Sequence, residues 1–151
     1  MKTSKTSALH PKRPAFRLNK ILQSCVYLTY GVLFFTGLAW VIGSTKDDSA
    51  VSSANDWQPF WLKLHGAAAI PALIIIGILI PLHMQRAWKA KKNRVTGLFM
   101  IAINVVLILT AWSLNYGGDE GARGWISKIH IAIGLFFPVA LVFHIWIGRK
   151  K

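Results

Sequence analysis

Polar and apolar positions alternate along this chain in long blocks, not residue by residue. Four runs carry no charged side chain: Ile21 to Thr45, Leu64 to Gln85, Val95 to Gly118 and Ile129 to Gly148, which are 25, 22, 24 and 20 residues long. A helix needs about 20 apolar residues to cross the hydrocarbon of a bilayer, so each run is long enough. The alternating ten-residue pattern of a membrane barrel is missing. The pattern predicts an all-α integral membrane protein, a four-helix up-down-up-down bundle spanning residues 19–149. Its helices are expected at about 19–44, 61–85, 95–116 and 125–148, behind a basic leader at 1–18. The first run is too long for a signal-peptide core, and no small-x-small cleavage site follows it, so it reads as a retained anchor.

Charge then sets the expected orientation. The leader carries Lys2, Lys5, Lys12, Arg13, Arg17 and Lys20; the second connection carries Arg86, Lys89, Lys91, Lys92 and Arg94; the tail ends in Arg149, Lys150 and Lys151. None of these segments contains an acid. Asp47, Asp48, Asp56, Asp119 and Glu120 all fall in the other two connections. By the positive-inside rule, both termini and the middle loop are cytoplasmic and the acidic loops face outward, as expected for a multi-pass protein of a bacterial inner membrane. The net charge of +13 is therefore a topological signal and implies no nucleic-acid partner. It favours anionic lipid headgroups on the inner face. Trp40, Trp57, Trp61, Trp112 and Trp125 fall near outer boundaries and Trp88 and Trp146 near inner ones, as interfacial indoles do. The lone Cys25 has no partner for an internal disulfide.

The two halves resemble each other. Thr36 to Trp40 (TGLAW) closes the first run, and Thr110 to Trp112 (TAW) falls near the end of the third. Each is followed by an acidic loop, a tryptophan and then a histidine: Trp61 and His65, Trp125 and His130. A helix-internal proline follows, Pro71 or Pro138, and then a second histidine, His83 or His144, shortly before an arginine. The chain reads as a duplicated helical hairpin with parallel repeats. Helices two and four then run in the same direction, placing His65 level with His130 near the outer face and His83 level with His144 near the inner face. Eighteen residues make five whole helical turns and fourteen fall roughly 40° short of four, so both histidines of each helix share a face.

One imidazole in a membrane helix is often a packing residue. Four at paired depths and on matching faces point to a ligand site, because polar groups at membrane depth are costly and face the bundle interior. Each level offers two imidazoles, and the levels lie about 21 to 27 Å apart at 1.5 Å per residue. A four-ligand zinc shell cannot be assembled from that set. Two imidazoles across a bundle do suit a haem iron, whose porphyrin supplies the other four nitrogens. Two pairs predict two non-covalent b-type haems: an outer one on His65 and His130, an inner one on His83 and His144. No Cys-x-x-Cys-His is present for covalent attachment. Gly31, Gly37, Gly66, Gly77 and Gly134 serve equally well to admit a porphyrin or to let helices pack closely. The spacings of 18 and 14 differ by about 6 Å of helix, part of which kinks at Pro71 and Pro81 are expected to absorb; the fallback is one haem with the other level incomplete. His10, in the leader, is given no ligand role.

Two ligands on each of two parallel helices of a four-helix bundle resemble the haem-bearing half of the cytochrome b subunit of quinol–cytochrome c oxidoreductases. More broadly the chain is similar to small bacterial di-haem cytochromes b, the cytochrome b561-like and hydrogenase-subunit types. The resemblance covers residues 17–149 and rests on His65, His83, His130 and His144. It implies bis-histidine haems and electron transfer across the membrane, between the quinone pool and a periplasmic cytochrome or oxidoreductase subunit. A quinone is a further candidate ligand near the inner haem, where Arg86 and Lys89 are available to its carbonyl. Two other functions compete. A small di-haem superoxide-to-quinone oxidoreductase would use Lys63 and Lys128 to draw in the anion; a non-redox accessory subunit would use the histidines for packing or transient haem passage.

Overall fold

The computed structural model describes residues 18–44, 57–117 and 119–150. All the secondary structure among them is helical. Four helices are long and apolar enough to cross a membrane: α1 (Lys20–Ser44), α2 (Trp57–Lys89), α3 (Arg94–Tyr116) and α4 (Glu120–Lys150). The protein is a multi-pass, four-helix membrane bundle. The leader with His10, the segment holding Asp47, Asp48 and Asp56, and Lys151 lie outside the described residues.

Two helices are longer than their uncharged runs. α2 begins at Trp57 and continues to Lys89, and α4 begins at Glu120 and continues to Lys150. Charge-free length measures the hydrocarbon, whereas a helix persists wherever its backbone hydrogen bonds close. Pro59 falls in the first turn of α2, where a missing N–H costs nothing. Asp119 Oδ1 accepts the Gly121 N–H at 2.9 Å, Glu120 stands in the first turn of α4, and Arg149 and Lys150 stand in its last. Those charges complement the helix dipole at both ends.

The α2–α3 connection is only Ala90 to Asn93. It turns through left-handed conformations at Lys91 (φ 57°) and Asn93 (φ 50°), and asparagine tolerates that region better than most residues. Arg94 secures the turn: its Nε and Nη2 donate to the Trp88 carbonyl at 3.2 and 2.8 Å. Its guanidinium also lies 4.8 Å from the centre of the Trp88 ring, a cation–π contact.

Packing is close within each hairpin, α1 on α2 and α3 on α4, and α1 on α4 joins the two. By contrast α2 and α4, which carry the histidines, do not pack closely on each other. The core is correspondingly thin. Ile103, Phe137 and Ala140 form a buried cluster with Tyr30, Met100, Leu107, Ile133 and Leu141 around it. Val26, Ala68, Ala72 and Ile75 are also buried, yet among the described residues no side chain is completely enclosed. The large apolar side chains on the outside, such as Leu28, Phe35, Ile70 and Val142, are exposed as a lipid-facing surface requires.

A candidate paired-imidazole site at two depths

The backbone brings the four histidines together as two pairs. The ring centroids of His65 and His130 are 6.3 Å apart with planes at 87°. Those of His83 and His144 are 6.3 Å apart with planes at 84°. The two levels are thus nearly identical, although the histidines are 18 residues apart on α2 and 14 on α4.

Part of the mismatch is taken up where the regular helix fails. From His130 the inward face of α4 runs through Ile133, Phe137 and Ala140 to His144; from His65 the same spacing on α2 runs through Ala68, Ala72 and Ile75 to Leu79. His83 lies one further turn along, and there α2 becomes a π-helix over Ile80–Met84, with Pro81 inside it. Proline has no N–H for the i−4 carbonyl, and the wider turn accommodates that loss. A π turn also advances less per residue than an α turn, so His83 is carried round the axis with less displacement along it. Pro81, more than Pro71, marks the local adjustment, because Pro71 lies within unbroken α-helix.

Each ring is held from its own hairpin. His65 Nδ1 donates to the Leu33 carbonyl at 2.9 Å and lies 3.1 Å from Thr36 Oγ1. Thr36 in turn donates to Val32 O at 2.7 Å and Leu33 O at 3.2 Å. With its proton committed there, the hydroxyl oxygen is an acceptor toward the ring. In the second hairpin Thr110 donates to Val106 O at 2.7 Å and Leu107 O at 3.1 Å, so its oxygen accepts from His130 Nδ1 at 2.7 Å. Thr96 donates to Asn93 O at 3.2 Å and accepts from His144 Nδ1 at 3.1 Å. For three of the four rings the proton is thereby assigned to Nδ1, which leaves the Nε2 lone pair as the donor. Fixing the tautomer through the remote nitrogen is how proteins orient imidazole ligands and raise their basicity.

Spacing can be tested against chemistry. A metal–imidazole bond is about 2.0 Å, and the centre of a five-membered ring lies about 1.15 Å behind its nitrogen. Two imidazoles in line on opposite sides of one metal ion therefore have centroids about 6.3 Å apart. Edge-to-face ring packing spans roughly 4.5–7 Å and includes this value. It does not account for the same spacing at two depths, or for the Nδ1 protons being drawn away from the gap. Among the described residues no three His, Cys, Asp or Glu side chains gather, so each level supplies two donors. The residues fit a group that brings its own equatorial ligands.

The glycines divide. A Cβ on Gly37 would stand 3.0 Å from His65 Cε1 and 3.2 Å from Nδ1, so this position is kept bare for the imidazole itself. At Gly31, Gly66 and Gly77 it would meet nothing within 4 Å, and at Gly134 only Leu107 Cδ2 at 4.0 Å. Close helix packing is therefore not what Gly31, Gly66 and Gly77 provide.

In the sequence Thr36 and Thr110 stand out only as markers of the repeat, and Thr96 does not stand out at all. A signal was present: Val32, Leu33 and Thr36 recur as Val106, Leu107 and Thr110, the same V-L-x-x-T with the same hydrogen bonds. Thr96 has no such counterpart, since the position 74 residues earlier is Leu22. On the outside, Lys128 Nζ rests 4.8 Å from the centre of the Trp125 ring, and Lys63 is exposed. No protein-family profile matches the chain, and no curated protein or solved structure shows significant similarity to it.

Proposed function

We propose that this protein is a membrane cytochrome b holding two non-covalent haems, one on His65 and His130 and one on His83 and His144. In this reading it carries electrons across a bacterial inner membrane, with its termini on the cytoplasmic side, between the quinone pool and a periplasmic redox partner. The observation that carries the proposal is the repeated 6.3 Å pairing of crossed imidazoles, the separation that one six-coordinate iron requires. Bound haem would supply one-electron chemistry, its potential set by axial ligation and burial.

The chain's own contributions follow from the geometry. His65, His130 and His144 present Nε2 because hydroxyl or carbonyl acceptors hold Nδ1–H. The separation of α2 from α4 provides width for a flat ring. Arg86 and Lys89, at the basic end of α2, are the candidates to meet a quinone carbonyl. The superoxide reading gains no support from Lys128, whose ammonium is engaged by Trp125.

The test is a pyridine haemochrome assay on protein extracted from membranes with native haem supply. Two b-type haems per chain are expected, and replacing His65 or His144 by alanine is expected to remove one. A colourless wild-type protein would refute the proposal.

A further inference from the structure

Between the two imidazole levels lies a polar contact that the ligand geometry does not use. Tyr30 Oη donates to Asn104 Oδ1 at 2.7 Å, while Asn104 Nδ2 donates to Met100 O at 2.8 Å. The second bond settles which end of the amide faces the phenol. The Tyr30 ring also stacks on Phe137, with centroids 4.7 Å apart and planes at 22°. One node therefore ties together α1, α3 and α4, and it joins the first hairpin to the second.

Its depth is central on every helix that contributes. Phe137 is seven residues after His130 and seven before His144; Asn104 is six before Thr110 and eight after Thr96; Tyr30 is six before Thr36. Tyr30 and Asn104 are also 74 residues apart, the offset that relates Thr36 to Thr110. They are the same position in the two repeats, meeting where the hairpins meet. Because α2 and α4 do not pack closely on each other, the distance between their imidazoles must be set by contacts elsewhere.

We propose that Tyr30, Asn104 and Phe137 form a central partition that fixes the gap between the hairpins, and so positions the imidazole pairs at both depths together. This rests on the two-haem reading for its effect on cofactor binding, but the gap itself is a property of the chain alone. A phenol at mid-membrane without an acceptor is unfavourable, so the halves are held in the one register that pairs it. A threonine beside a single ring acts on one level; a contact midway between them acts on both.

Tyr30→Phe keeps the stacked ring and removes the donor. It is expected to weaken haem binding at both levels by a similar factor, roughly threefold to fifteenfold for one interhelical hydrogen bond in a membrane. Both ferric low-spin EPR signals, which report the angle between ligand planes, should shift together. Asn104→Gln, which retains the acceptor, should partly preserve them, whereas Thr110→Val should change one signal alone. A haem-free measurement runs beside these. With Cys25→Ser as background, nitroxide labels at Leu64→Cys and Ile129→Cys report the gap beside one pair, and labels at Leu82→Cys and Phe143→Cys report it beside the other; all four positions are exposed. Tyr30→Phe should broaden the label-to-label distances at both ends. Unchanged distances, or a change at one end only, would overturn the partition. A wild-type chain that takes up no haem would instead sink the proposed function, and the label distances would still decide this inference.

Discussion

Thr110 shows how much of the proposed ligand site depends on a side chain with no obvious claim to function. Its hydroxyl gives its proton to Val106 O and takes one from His130 Nδ1. Thr110→Val preserves shape and removes the acceptor, which for an outer-shell partner costs about tenfold to a hundredfold in metal affinity. Haem titration should show that loss at one level only. Gly37→Ala tests the same pair sterically. The added methyl would lie 3.0 Å from the His65 ring, so haem should be lost from that level while Gly97→Ala, whose Cβ meets nothing within 4 Å, retains two. The histidines could be singled out from sequence because an imidazole in hydrocarbon is costly and needs a reason. A threonine needs none, since it satisfies its own hydroxyl on the preceding turn, and Thr36, Thr96 and Thr110 were inconspicuous for that cause.

At the scale of the element, the π-helical turn of α2 absorbs part of the difference between spacings of 18 and 14. Inserting one alanine after Ile75, in the regular α-helix between the two histidines, would rotate His83 by about 100° relative to His65, away from His144. The expected product retains one haem, and a haem-to-protein ratio of two after the insertion would show that the register of α2 does not set the inner pair. Nothing in the composition of residues 80 to 84 announces a π-helix, and a proline in a membrane span predicts a kink as readily. The four spans themselves were legible, because hydropathy over 20 residues has one cheap explanation in a bilayer. The extents of α2 and α4 were less so. Flanking charges end an apolar run without ending a helix, and Asp119 and Arg94 supply the local bonds that close α4 at its start and α2 at its end.

Across the whole molecule, α2 and α4 do not pack closely on each other and, among the described residues, no side chain is completely enclosed, so the proposed haems and the fold would be interdependent. A ligand that binds only the folded chain stabilises it by about 2.7 kcal/mol per site at a hundredfold excess over Kd. The haem-loaded protein should therefore unfold at a clearly higher temperature than the haem-depleted one in the same detergent, as followed by far-UV circular dichroism. The ligand planes, crossed at 87° and 84°, should also give the oxidised protein two similar, strongly anisotropic low-spin EPR signals. Planes that had relaxed to parallel would move both signals in the same direction.

The Nδ1 acceptors of His65, His130 and His144 all come from within the same hairpin as the ring they hold, and the peptide link between hairpins is four residues long. The molecule is in that sense divisible. Severed between Ala90 and Asn93 and produced as two fragments, each half would arrive with its donors already aimed, and the porphyrins would act as the rivets that reunite them.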